Sequence, residues 1–222
     1  MLKYPITTLL YLAKLSIKDK IQDALKPHNN INIRLTITIK DKDGKIIKVH
    51  KQKSHSFVAN FLYILGTFFM NQGINYTDIT GSVTSFYIGA NINSEFILNL
   101  NCGSPGNCGI VIGTGTATPT PGDYKLGNQI ANGTGSGQMT YNSLSFTNPT
   151  INGNTTTMTI TQSFTNQSGA SITVSEVGII AETLNSNGGT DYVLIVHDLL
   201  SSPITVANLS ILQVIYTISV TT

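Results

Sequence analysis

Ile31-Asn32-Ile33-Arg34-Leu35-Thr36-Ile37-Thr38-Ile39 alternates strictly between aliphatic and polar side chains. Successive side chains of a strand point to opposite faces, so this period of two places five aliphatics on one side and Asn32, Arg34, Thr36 and Thr38 on the other. Residues 31–39 are therefore predicted to form a half-buried strand. Asp41-Lys42-Asp43-Gly44 follows, a run of turn residues in which Gly44 can take positive φ. Lys45 to His50 then returns as a second strand and completes a hairpin.

The chain downstream repeats this style. From Tyr76 onward helical periodicity disappears, and short β-rich runs recur at Val83–Ala90, Phe96–Asn101, Ile110–Gly113, Met139–Phe146, Thr156–Phe164, Ile172–Ala181, Tyr192–Val196 and Ile211–Val220. Clusters of Gly, Pro, Asn and Ser separate them, with surface loops expected over Thr114–Asp123 and Ala131–Gln138. Many short strands so punctuated predict an antiparallel β-sandwich of the jelly-roll kind.

Two helices are predicted upstream of this β part. Ile6, Leu9, Leu10, Ala13, Ile17, Ile21 and Ala24 form a 3.6-residue stripe that Pro27 stops, so residues 6–25 read as an amphipathic helix. Such a helix is expected to pack on its own or a neighbouring subunit, or to lie on a membrane or partner. Ser54 to Met70 reads as a second helix, capped by Ser54 or Ser56, with Phe57, Phe61, Leu62, Leu65 and Phe69 on its apolar face. The fold class is mainly β: a jelly-roll-like sandwich preceded by an amphipathic helix, a hairpin and a short helix. The organisation expected is a basic helix-hairpin-helix region over residues 1–72 and a β-sandwich domain over 73–222.

Charge divides the chain at nearly the same place. Twelve of its thirteen basic residues and four of its eleven acids fall within the first 53 positions, a formal +8, while residues 54–222 carry one base against seven acids, a formal −6. A split of this kind points one end toward a polyanion, an anionic membrane surface or an acidic partner. Lys40, Lys42, Lys45, Lys48, Lys51 and Lys53 gather around the hairpin and are the candidate contacts, giving salt-sensitive, sequence-blind binding if the anion is nucleic acid. The alternative is a solvated hairpin whose edge is protected by lysine. Only 11% of residues are charged, against about a quarter in ordinary soluble domains, and Thr, Ser, Asn and Gly supply the polarity instead. This composition fits hydroxyl-faced strands on a protein that is extracellular or exposed on a particle.

Reactive chemistry is sparse. Gly113-Thr114-Gly115 superficially resembles a phosphate loop, yet no Gly-Lys-Ser/Thr follows, and Pro119 and Pro121 forbid the helix that would face a phosphate. His197-Asp198, Glu176 and Glu182 are read as edge or turn residues, with no paired carboxylates singled out for glycoside hydrolysis. No catalytic residue, metal ligand or cofactor is expected, since two cysteines and four scattered histidines offer no familiar zinc spacing. Cys102 and Cys108 bracket a tight Gly-Ser-Pro-Gly-Asn loop that either closes as a disulfide or leaves two thiols. Asn-x-Ser/Thr sequons at Asn75, Asn132, Asn154, Asn166 and Asn208 are candidate glycosylation sites, about as frequent as random placement gives. No cleavable signal peptide is read at the start, and the apolar run Phe57–Met70 falls short of the roughly 20 residues a membrane span needs.

Two groups of segments carry a family resemblance. One is Asp43-Gly44 followed by Ser54-His-Ser-Phe-Val-Ala-Asn-Phe-Leu-Tyr-Ile-Leu65. The other runs from Gly109-Ile-Val-Ile-Gly-Thr-Gly115 through Pro121-Gly-Asp-Tyr-Lys-Leu126, Phe164-Thr-Asn-Gln-Ser-Gly169 and Ile172-Thr-Val-Ser-Glu-Val-Gly-Ile-Ile180 to Pro203-Ile-Thr-Val-Ala-Asn-Leu209 and the strand Leu212–Val220. About two-thirds of the chain thus resembles β-rich virion structural proteins of bacterial and archaeal double-stranded DNA viruses, most of all vertex (penton-base) capsid proteins of turreted icosahedral archaeal viruses. The resemblance implies a jelly-roll virion protein without an active site. Its partners would be copies of itself, as a homo-oligomer such as a pentamer, and other capsid proteins. The basic N-terminal region would face the viral membrane or DNA inside the particle. A secreted or cell-surface β-sandwich binding module, for instance for carbohydrate, is the competing expectation. It has no Trp to build an aromatic platform.

Overall fold

A computed structural model describes residues 30–54, 57–86 and 98–222. The amphipathic helix expected over residues 6–25 lies outside them. The described chain is mainly β. Its elements are β1 (Asn30–Lys40), β2 (Ile46–Lys53), α1 (Ala59–Met70), β3 (Asn75–Thr77), β4 (Val83–Ser85), β5 (Leu98–Asn99), β6 (Gly109–Gly113), β7 (Thr140–Phe146), β8 (Thr150–Asn152), β9 (Thr155–Thr165), β10 (Ile172–Leu184), β11 (Thr190–Val206) and β12 (Ile211–Thr221).

The hairpin read from the sequence forms as expected. Asp41 closes its turn by accepting the amide N–H groups of Asp43 and Lys45 on Oδ1, at 3.0 and 2.9 Å, and Gly44 sits at φ +81°. Ile33, Leu35, Ile37 and Ile39 are buried on one face of β1. β1 also pairs with β12 over its whole length, from Asn30↔Thr221 to Lys40↔Ile211. β12 in turn pairs with β9, giving an antiparallel sheet ordered β2-β1-β12-β9-β7, with β8 attached to β9. The second sheet is the long β10–β11 hairpin with β5 and β6 on the other side of β10, and β3–β4 is a small separate ribbon.

The two large sheets share one core, in which Leu35, Tyr216 and Phe164 from the first meet Val177, Ile179 and Val196 from the second. Cross-sheet hydrogen bonds fix their approach: the Ile110 amide donates to Gln162 Oε1 at 2.9 Å, and the Tyr216 hydroxyl donates to Asp198 at 3.0 Å. Because β1 is zipped to β12 and its aliphatics enter this core, the division expected near residue 72 does not separate two packing units. The hairpin reads as independent in sequence because its partner strand is the last one in the chain.

Helix α1 begins later than its apolar pattern suggested. Val58 is extended and donates its amide to the Ile195 carbonyl, and the Ala59 amide donates to the Pro121 carbonyl at 2.8 Å. Strand-like pairing of Phe57 with Val196 thus replaces the first helical turn. Ser54 is no cap; its hydroxyl donates to Asp198 at 2.6 Å. Asn71 ends the helix in the left-handed conformation, φ 49°.

The outward face of the first sheet is paved with hydroxyls. Thr157, Thr159 and Thr161 on β9 lie opposite Ser219, Thr217 and Ile215 on β12, and these lie opposite Asn32, Arg34 and Thr36 on β1. The low charge of the sequence has its structural expression here.

Candidate functional site

A buried cluster of ionisable groups sits on the outward face of the second sheet. Glu176 on β10 and His197 on β11 are both buried, in mid-strand, under a loop that runs from Thr114 to Asn128. This corrects the expectation that Glu176, His197 and Asp198 are edge or turn residues. Glu176 and His197 interrupt apolar runs because the covering loop brings them partners, and Asp198 points to the core side, where the Ser54 and Tyr216 hydroxyls donate to it.

The geometry is closed on all sides. Glu176 Oε1 accepts the amides of Gly115 at 2.8 Å and Asn128 at 2.7 Å; Oε2 accepts the Gly127 amide at 2.9 Å and His197 Nε2 at 3.0 Å. The other ring nitrogen, Nδ1, lies 2.7 Å from Asp123 Oδ2. Asp123 is itself held by the Thr120 amide and hydroxyl, at 2.9 and 2.6 Å. Neither ionised carboxylate has a proton to give, so both ring nitrogens donate and His197 is an imidazolium between two anions.

Titration follows from these contacts. Burial alone would raise the Glu176 carboxyl; His197 and the amides of Asn128, Gly127 and Gly115 overcome it and hold the group down at about 2. Burial alone would lower His197; the hydrogen bonds and charges of Glu176 and Asp123 raise it above its ordinary value. For Asp123, burial is again outweighed, by Thr120 first and His197 second, and the carboxyl is lowered.

The same geometry explains Gly113-Thr114-Gly115. A Cβ on either glycine would stand against the Glu176 carboxylate. The loop does cradle an anion with backbone amides, as its resemblance to a phosphate loop suggests, but that anion is a side chain of the protein. With every acceptor of Glu176 and both donors of His197 engaged, the cluster's chemistry is to pin the Thr114–Asn128 loop to β10 and β11. Among the described residues no group of His, Cys, Asp or Glu is arranged to hold a metal ion.

The lysines are distributed over the hairpin rather than concentrated. Register places Lys51 and Lys53 on the outward face beside Arg34, where they line a shallow depression of about 410 Å³ with Thr36 and Thr217. Lys40 shares that face at the turn end of β1, whereas Lys48 lies opposite Ile39 on the other face. Lys42 pairs with Asp43 at 3.0 Å in the turn, and Lys45 is exposed beside it. Arg34, not singled out among the contacts in sequence, is therefore the partner that Lys51 and Lys53 have in space. Its place on the polar face of the alternating run was the signal.

Cys102 and Cys108 are joined as a disulfide, with Cα atoms 6.2 Å apart. Among the sequons, Asn75, Asn132, Asn154 and Asn208 are exposed. Asn166 is not an acceptor in the folded protein: it is fully buried and its Nδ2 donates to the Ala170 and Val206 carbonyls at 2.8 Å each. A glycan on that nitrogen would break both bonds. Among the described residues no helix is long and apolar enough to cross a membrane. No family model, curated protein or solved structure matches the chain.

Proposed function

We propose that the protein is a structural component of a virion, a jelly-roll-like capsid protein of the vertex (penton-base) kind that assembles with copies of itself and with other capsid proteins. The observation that carries this reading is the apolar row on α1. Leu62, Tyr63, Phe68, Phe69 and Met70 all lie on the surface, Phe69 with 84% of its area exposed. A short helix with so much apolar surface turned outward marks an interface. It projects from a β body whose large outer face is hydroxyl-lined over β9 and β12, with its basic groups gathered at the β1–β2 margin, as suits close packing against neighbours. The sequence resemblance supports the same reading and supplies the vertex position.

Light scattering on the purified protein tests it. The wild type is expected as a closed oligomer at micromolar concentration, and Leu62→Asp with Phe69→Asp is expected to give a monomer with unchanged circular dichroism. A wild type that stays monomeric at tens of micromolar, and that binds glycans, would replace this reading with that of a carbohydrate-binding module.

The Arg34-Lys51-Lys53 face belongs to the proposal as the side turned toward phosphate, carried by lipid headgroups or by DNA. Each basic group near an anionic membrane surface contributes about 1 kcal/mol, and each phosphate contact steepens the salt dependence of DNA binding by about one unit. Changing Arg34, Lys51 and Lys53 together to Gln is expected to weaken sedimentation with anionic vesicles, or retention of duplex DNA, by at least tenfold at low salt. Unchanged retention of both would remove this face from the proposal.

A further inference from the structure

The basic hairpin also carries exposed aliphatic side chains. On β2, Ile46 is 56% exposed, Ile47 57% and Val49 49%. Register decides which side they take. Lys53 lies opposite Arg34 and Lys51 opposite Thr36; further toward the turn, Val49 lies opposite Thr38 and Ile46 opposite Lys40. Opposed residues share a face, and alternate residues of β1 return to the same one. Val49 and Ile46 therefore stand on the outward face with Arg34, Lys51 and Lys53. Ile47 is the extra residue where the register shifts between Ile39 and Lys40. The face thus has a basic half, around the shallow depression, and an aliphatic half about 7 Å further along the strands.

Both halves lack partners within the chain. Among the described residues no carboxylate pairs with Arg34, Lys51 or Lys53. The nearby acids are occupied in the turn, Asp41 by the amides of Asp43 and Lys45, and Asp43 by Lys42. The aliphatics belong to an edge strand, outside the core that β1 and β12 share.

These two halves separate the carriers of phosphate. Duplex DNA would neutralise the basic half but offers a charged backbone to Ile46, Ile47 and Val49, which would lose water without gaining apolar contact. β1 and β2 also hold no aromatic side chain on which an unpaired base could stack. A second copy meeting the face with the same face would set lysine against lysine. An anionic lipid surface satisfies both: its phosphates meet the basic groups, and the boundary between headgroups and acyl chains takes up the aliphatics.

We propose that the outward face of the β1–β2 hairpin docks on an anionic lipid surface, with Ile46, Ile47 and Val49 entering the headgroup boundary and Arg34, Lys51 and Lys53 on lipid phosphates. This rests on the reading of the face as phosphate-directed and names lipid as the carrier.

Co-sedimentation of the full chain with vesicles of phosphatidylglycerol and phosphatidylcholine, beside retention of duplex DNA, tests it. The triple variant Ile46→Thr, Ile47→Thr and Val49→Thr keeps β-branched side chains at exposed strand positions. It is expected to bind the vesicles at least tenfold more weakly than wild type while its weak DNA retention is unchanged. A second measurement needs no variant: wild-type vesicle binding is expected to fall less steeply with salt than DNA retention does, because burial of the aliphatics is not screened. Vesicle binding unchanged in the triple variant, or equal salt slopes, would overturn the proposal and leave a face that acts through charge alone. Wild type retained by DNA but not by vesicles would also overturn it, while the phosphate-directed face stood. Binding to neither would remove that face and this proposal together.

Discussion

Replacing Glu176 with Ala is expected to lower the melting temperature by about 6–20 °C. Removing one member of a buried, hydrogen-bonded ion set costs on the order of 3–5 kcal/mol, and 1 kcal/mol corresponds to roughly 2–4 °C in a chain of this size. The loss has identifiable parts: the amides of Gly115, Gly127 and Asn128 lose their acceptor, and the His197 imidazolium keeps only Asp123. The difference between wild type and variant should depend on pH with a definite shape. Glu176, lowered from 4.5 to about 2, contributes stability that is present above pH 4.5 and lost as pH falls toward 2. Asp123, also lowered, loses its contribution as pH falls below 3.8. His197 is raised, so its contribution is full below its unfolded value of 6.5 and is lost as pH climbs through the folded one. The gap in melting temperature is therefore widest between about pH 4.5 and 6.5. Calorimetry from pH 3 to 9 showing a flat difference would mean that the cluster is not the charged arrangement described.

Gly113→Ala is expected to have the next largest effect, about 1–3 kcal/mol, although it adds a single methyl group to a strand end whose φ any residue can adopt. The added carbon would meet the Glu176 carboxylate and come within 2.7 Å of the Asn128 carbonyl. Neither can retreat cheaply, because both are held in the same set of hydrogen bonds. The informative measurement is the double variant with Glu176→Ala. If the methyl group acts by displacing the carboxylate, the two losses combine to much less than their sum. Full additivity would place the damage of Gly113→Ala elsewhere.

Legibility in the sequence follows how local each cause is. β1 was readable because strict alternation records a sheet with one wet face, and β9 and β12 because each is a β-rich run between turn clusters. β10 was readable as an apolar run, though it extends to Leu184, beyond the expected Ala181. β11 was expected only over Tyr192–Val196. The strand instead continues to Val206 through a register irregularity, where Val174 pairs with Ile204 but Glu176 pairs with Leu199. Pro203 lies in that interval, where no ladder hydrogen bond is demanded of it.

The buried cluster could not be read as a constellation. Asp123, Glu176 and His197 lie far apart in the chain and meet only when the Thr114–Asn128 loop closes over the sheet. What the sequence did contain was a charge in the middle of each of two aliphatic runs, Val174-Ser-Glu-Val177 and Ile195-Val-His-Asp198. Such residues are buried with the strand, so their partners must come from a neighbouring segment. Glycines spaced to admit a carboxylate stand at Gly113 and Gly115.

The Pro121 carbonyl, which holds the first amide of α1, is two residues from Asp123. A helix that lacks a side-chain cap thus takes its anchorage from the same loop that the ion set clamps down. Acid strong enough to protonate Glu176 unlatches both at once, so the exposed apolar row of α1 is coupled to a titration under the loop that anchors it. A shell built from such units would loosen at its seams before its subunits unfold.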